Sequence, residues 1–175
     1  MKRDEIYRLA HADAKQIIAW YLPTSGAGWL NESYVWEVYR AGLLLDHQQH
    51  PSRGGEQLDL ATREHLVWLL GWCMLSIADL GGAPRDGEWW TPPGSDLESR
   101  WSTVVDIVDS ERAYQDALWA PRHMPAGYLL MLHYYIEQMV ELWVSNKGYE
   151  LALNSVRKIA GICVRCLEEH GYPAA

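Results

Sequence analysis

Residues 62–80 read TREHLVWLLGWCMLSIADL, and this stretch decides the fold. Leu66, Val67, Trp68, Leu69, Leu70, Trp72, Met74, Leu75 and Ile77 point in nearly every direction around a helix. A surface helix carries one apolar stripe, whereas a helix that is apolar all round is enclosed by others. The uncharged run from Leu66 to Ala78 is about 13 residues, short of the roughly 18 that a membrane span needs. This segment therefore reads as the central buried helix of a soluble helical protein. Gly81-Gly82 stops it, and Asp79 reads as a residue surfacing at its end.

Helical periodicity continues on both sides, with no strand or hairpin signal. A first helix is expected from Asp4 to Leu22, with Ile6, Ala10, Ile17 and Tyr21 inward, acids at its start and Pro23 ending it. Asn31 is expected to cap a second, running to about His47. Residues 48–59 form a polar connector, and the central helix starts near Thr62. Residues 83–95 read as a loop rich in Pro, Gly and Trp. Ser95-Asp96-Leu97-Glu98 has capping-box spacing and opens a fourth helix to about Trp119. Pro121 and Pro125 bracket a break. A fifth helix is expected over Ala126–Asn146 and a sixth over Glu150–His170, ending at Gly171. The expectation is an all-α fold: one domain over residues 1–175, a bundle of about six helices.

Composition narrows the function. The 175 residues are 49% hydrophobic, enough for a real core. A net charge of −8 argues against a nucleic-acid polymer as partner, because phosphate recognition needs a basic surface. It leaves open a nucleotide held through a divalent metal, with acids as the ligands. No secretory signal is visible, and three Cys fit a reducing compartment, so a cytoplasmic protein is expected. Ten Trp, ten Tyr and no Phe is an unusual aromatic choice. Trp and Tyr carry polar handles that suit interfaces and pocket walls as well as cores.

Glu137 and Glu141 are the foremost candidates for a site. They are the only formally charged residues between Tyr128 and Val144, and an i, i+4 spacing puts both on one face, Cβ atoms roughly 5–6 Å apart. Two like charges in apolar surroundings call for a cation or a basic side chain. Asp106 and Asp109 lie i, i+3 on the fourth helix. If the fourth and fifth helices pack antiparallel, these oxygens converge on Mg²⁺. The alternative is a polar stripe neutralised by Arg157, Lys158 or Arg165.

Other candidates are weaker. His47 and His50, with His65 or Glu64, suggest a metal site, but at i, i+3 they lack the usual helical zinc spacing. Cys163 and Cys166, with His170, resemble half a zinc site, yet Cys163 falls on an apolar face. Trp89 and Trp90 lie in a loop that either covers a ligand or partner or plugs the bundle. Trp68, Trp72, Tyr134 and Trp143 are candidates to line a ligand cavity. No phosphate-binding Gly loop, Gly-x-Ser-x-Gly elbow or dinucleotide fingerprint is present.

Glu111-Arg112-Ala113-Tyr114-Gln115-Asp116-Ala117-Leu118-Trp119, His123, the apolar fifth helix and the run from Val156 to Gly171 together resemble phage and mobile-element proteins. Those are similar to the MazG-like all-α nucleoside triphosphate pyrophosphohydrolases. The likeness covers residues 110–173. It implies a Glu-Glu-x-x-Glu motif and a later Glu-x-x-Asp motif that bind Mg²⁺ and a triphosphate. Glu137 matches the third acid of the first motif, while His133 and Tyr134 stand at the other two. Arg157 and Lys158 stand where the second motif would bring acids, so the implied metal site is degenerate.

Two functions follow as expectations. One is a MazG-like protein, a homodimer, binding a nucleotide or another small phosphorylated molecule, with Mg²⁺-dependent pyrophosphohydrolase activity retained, altered or lost. The other is a non-catalytic accessory module that meets a protein partner through the Trp89-Trp90 loop and an acidic surface.

Overall fold

Where apolar residues recur at helical spacing the described residues form six helices: α1 Arg3–Tyr21, α2 Leu30–Asp46, α3 Leu60–Leu80, α4 Leu97–Leu118, α5 Pro125–Val144 and α6 Tyr149–His170. The computed structural model describes residues 1–21, 30–46, 58–93, 96–119, 122–145 and 149–171. The all-α bundle is as the periodicity requires. Among the described residues no strand forms, and the sole extended pairing is an isolated antiparallel bridge between Gly82 and Trp90. No helix among them is long and apolar enough to cross a membrane.

The helices stack in three layers. α3 and α6 pack on each other in the middle; α1 lies on α3 and α4 mainly on α6; α2 and α5 pack together on the opposite side, α2 on α3 and α5 on α6. A middle-layer helix must be apolar nearly all round. From Leu66 to Ala78 only Trp68 is not fully buried, so α3 is the central helix its sequence announces. α6 is equally enclosed, although Arg157 and Arg165 lie within its buried length. The two middle helices run antiparallel: the Leu58 N–H donates to the His170 carbonyl at 3.1 Å, and Trp89, beside the end of α3, meets Tyr149 at the start of α6.

The helix ends show which local signals governed. Asp59 caps α3, its carboxylate accepting from the Thr62 N–H at 2.7 Å, so the helix begins two residues ahead of the expected start near Thr62. Asp96 caps α4 through the Glu98 N–H at 3.2 Å, while Ser95 lies outside the described residues. α5 begins on Pro125, where a missing N–H costs nothing. α2 begins ahead of Asn31, and the expected ends at Leu22, His47 and Asn146 lie outside the described residues.

Gly81 closes α3 with φ +95°, a backbone region that disfavours side chains. A Cβ there would also lie 2.9 Å from the Trp89 indole nitrogen. The chain can thus fold straight back: the Gly82 N–H donates to the Trp90 carbonyl at 3.1 Å and the Trp90 N–H to the Gly82 carbonyl at 2.6 Å. The Trp loop thus folds back on the bundle, with Trp89 and Trp90 half-buried against its core. Asp79 surfaces only in part at the end of α3. It accepts from Arg100 at 2.9 Å and from the Tyr34 hydroxyl, while Arg100 also donates to the carbonyls of Ala78 and Pro93, joining α2, α3, α4 and the loop.

Candidate functional site

The four acids proposed as metal ligands are not gathered. Glu137 and Glu141 both face solvent on the outer side of α5, and Glu137 pairs with His133 of its own helix at 3.0 Å. Asp106 is exposed on α4. Asp109 accepts from the Tyr7 hydroxyl at 2.6 Å and faces Arg3 at 3.5 Å, both on α1. α4 and α5 each pack on α6 and form no packed pair with each other, so the assumed convergence is absent. The reason lies in α5. Only one seam, Tyr128, Leu132, Ile136 and Met139 with Pro125 at its start, is buried against its neighbours. An outer-layer helix leaves its opposite face in water, and the two carboxylates take that face. Among the described residues no group of three His, Cys, Asp or Glu side chains could hold a metal ion.

The basic residues expected to neutralise Glu137 and Glu141 go elsewhere. Arg157 is buried with Glu111, Nε to Oε2 at 2.9 Å, and donates to the Ala83 carbonyl at 2.5 Å. Arg165 meets Glu169 at 3.0 Å and donates to the carbonyls of Gln115 and Trp119. Arg112 pairs with Glu168 at 2.9 Å and with Asp116. Lys158 lies over the Tyr135 ring, 5.1 Å to its centroid, with burial holding its pKa down. A buried charge is tolerated only when its remaining hydrogen bonds are also met. In this seam between α4 and α6 each of the three arginines has a carboxylate partner, and Arg157 and Arg165 also donate to backbone carbonyls. Glu111 and Arg157 were both legible as residues, but nothing in one helix's spacing reveals a partner 46 positions away.

The four aromatic candidates do not line one cavity. Trp68 and Trp72 of α3 meet edge to face at 6.3 Å, with Trp72 buried. On α5, Tyr134 is exposed and stacks its edge on Tyr135, while Trp143 is half-buried.

A cleft of about 490 Å³ lies where α1, α2 and α3 meet. Leu9 and Asp13 line it from α1, Leu44 from α2, and Arg63, Glu64, His65, Val67 and Trp68 from α3. Its floor depends on Gly71, whose missing side chain lets α1 approach: an added Cβ would sit 3.2 Å from the Asp13 Cβ and 3.3 Å from the Ala10 carbonyl. Leu9 and Asp13, four residues apart, flank the buried face of Ile6, Ala10, Ala14 and Ile17, which places a carboxyl at the cleft wall. Burial first, and then the nearby Glu64 carboxylate, push the Asp13 pKa up to about 6. Trp20 meets Trp68 at 6.3 Å. The His65 Nδ1 pairs with the Ala61 carbonyl at 2.8 Å.

Asp13 escaped notice because it looks like any surface acid of an amphipathic helix; the pertinent signal was its place i+4 from Leu9. His47 and His50 lie outside the described residues. Cys73, Cys163 and Cys166 are free and buried, and burial pushes every one of these thiols up. His170 turns its Nε2 to the His123 carbonyl at 2.7 Å. Comparison with protein-family models, with curated proteins and with solved structures gives no match.

Proposed function

We propose that this chain is a non-catalytic interaction module whose partner is a second copy of itself, docked through the outer face of α2 and α5. The observation carrying this reading is an exposed stripe on α5: Leu130, Tyr134, Glu137, Glu141 and Val144. Their spacing of 4, 3, 4 and 3 residues keeps them on one line of a helix. On adjoining α2, Trp36 and Leu43 are exposed as well.

The stripe is self-complementary when read antiparallel about Glu137. Leu130 then meets Val144 of the other copy, and the Tyr134 hydroxyl meets the carboxylate of Glu141. His133 lies beside Glu137 at the centre, 3.0 Å from its carboxylate. A helix of 20 residues is about 30 Å long, and two such helices side by side offer roughly 600 Å² per partner. That approaches the ~800 Å² per partner of a stable interface.

Light scattering coupled to gel filtration tests the reading. Wild type is expected to run as a dimer and Leu130→Glu/Val144→Glu as a folded monomer. A wild-type monomer at tens of micromolar would overturn it.

The pyrophosphohydrolase reading implied by the resemblance needs acids gathered on a cation, and the positions of Glu137, Glu141, Asp106 and Asp109 favour it less. Calorimetric titration with Mg²⁺ separates the two. No binding at millimolar levels is expected; binding that Glu137→Ala/Glu141→Ala abolishes would restore the metal-dependent alternative.

A further inference from the structure

The cleft between α1, α2 and α3 carries chemistry that the α2/α5 face does not use, and nothing about it depends on self-association. We infer that it binds a small organic ammonium ion, an amine with a short apolar tail, its charged head at Asp13 and Glu64 and its tail along Leu9, Leu44, Val67 and Trp68.

Three observations converge. The cleft, about 490 Å³, falls in the range of small-molecule sites. Asp13 is half-buried at its wall, and neither Asp13 nor Glu64 has a hydrogen-bond or ion-pair partner among the described residues. The other polar groups at the wall are committed: His65 to the Ala61 carbonyl, and Arg63 to a contact of its own. Finally, the apolar wall ends in an indole. A ring face attracts a cation, which adds to two carboxylates in a way that no anionic ligand could exploit.

The chemistry excludes two rivals. A phosphorylated or carboxylate ligand would meet two acids against a single cation, Arg63, and would gain nothing from the His65 Nδ1, which is already bonded to the backbone. A bare divalent ion needs several oxygen ligands in fixed geometry, and no group of three suitable side chains is present among the described residues. An alkylammonium head needs only a counter-charge and a wall. Its arrival also offsets the cost of ionising a half-buried carboxyl, in keeping with the upward shift at Asp13.

The test is calorimetric titration of the full chain with n-butylammonium chloride, with sodium butyrate and magnesium chloride as comparison titrants. Butylammonium is expected to bind and the other two not. Asp13→Asn, which keeps the side-chain shape, is expected to weaken binding at least tenfold at pH 7.5, and Glu64→Gln, on an exposed residue, severalfold. Wild-type affinity is expected to fall about tenfold between pH 7.5 and pH 5. The titrating groups facing the ligand are Asp13 on α1 and Glu64 and His65 on α3, with Arg63 charged throughout and only Leu44 contributed by α2. Asp13→Asn is expected to lose most of that pH dependence. Absence of butylammonium binding, equal binding of butyrate, or full affinity in both variants overturns the inference. Because the readout is ligand heat rather than oligomeric state, it stands or falls apart from the dimer.

Discussion

The two outer layers solve the same problem in opposite ways. α1 and α4 add charged links to their apolar contact: Arg3 and Arg112 reach Glu168 of α6, while Arg3 meets Asp109 and both Lys15 and His11 meet Glu98 between the two outer helices. α2 and α5 cover the middle pair with hydrocarbon, close enough that a Cβ on Gly42 would overlap the tip of Ile136. Their outward faces differ as well. Trp36, Leu43, Leu44, Leu130, Tyr134 and Val144 are exposed on α2 and α5, against Trp20 and Leu118 on α1 and α4. A layer that spends its polar residues inward and its charges outward is finished as a surface. One that leaves large apolar side chains in water still has area to bury.

The largest effect is expected on the charged side. Glu111 and Arg157 are both buried, so Arg157→Ala strands a carboxylate and should cost about 3–5 kcal/mol. Glu111→Leu/Arg157→Met, which removes both charges, should restore most of that stability in urea unfolding. A single variant that proves as stable as wild type would mean that water reaches Glu111 and that the seam is not dry.

On the apolar side the expectation is reversed. Leu130→Glu/Val144→Glu should leave the unfolding free energy of the monomer within about 0.5 kcal/mol while abolishing self-association, because exposed positions contribute little to folding. Heavy destabilisation would show that α5 is buried further than its exposure indicates.

The smallest effect belongs to the cleft that α1 and α2 share. Asp13 has a folded pKa of about 6, above the ordinary carboxyl value, so the folded state holds the proton more tightly than the unfolded chain. The stability it contributes is complete below about pH 4 and is lost as pH rises through about 6. For a half-buried group, screening reduces the effect to about 1 kcal/mol. Asp13→Asn should therefore melt about 2–4 °C above wild type at pH 8, with the gap closing at pH 4. An unchanged gap across that range would place the carboxyl in open solvent.

Much of the fold was legible and little of the site. The enclosure of α3 was readable because Leu66 to Ala78 is apolar in every direction, which only a middle-layer position can satisfy. α5 misled for a related reason. Its residues are also apolar on most sides, so Glu137 and Glu141 looked walled in, although that helix lies at the edge of the bundle with its whole outer stripe exposed. The Asp13 cleft drew no attention, since its walls come from three helices and its floor from the absent side chain of Gly71.

From the amino-acid order alone came the helices, their number, the helix that must lie innermost, and the knowledge that Glu137 and Glu141 share a face. Spacing along a helix fixes the angle between side chains, and that angle holds wherever the helix is placed. Which way the shared face turns, which acid each arginine meets and where three helices leave a gap were decided only by tertiary packing. Those outcomes depend on how one helix is rotated against its neighbours, and no local period contains that rotation.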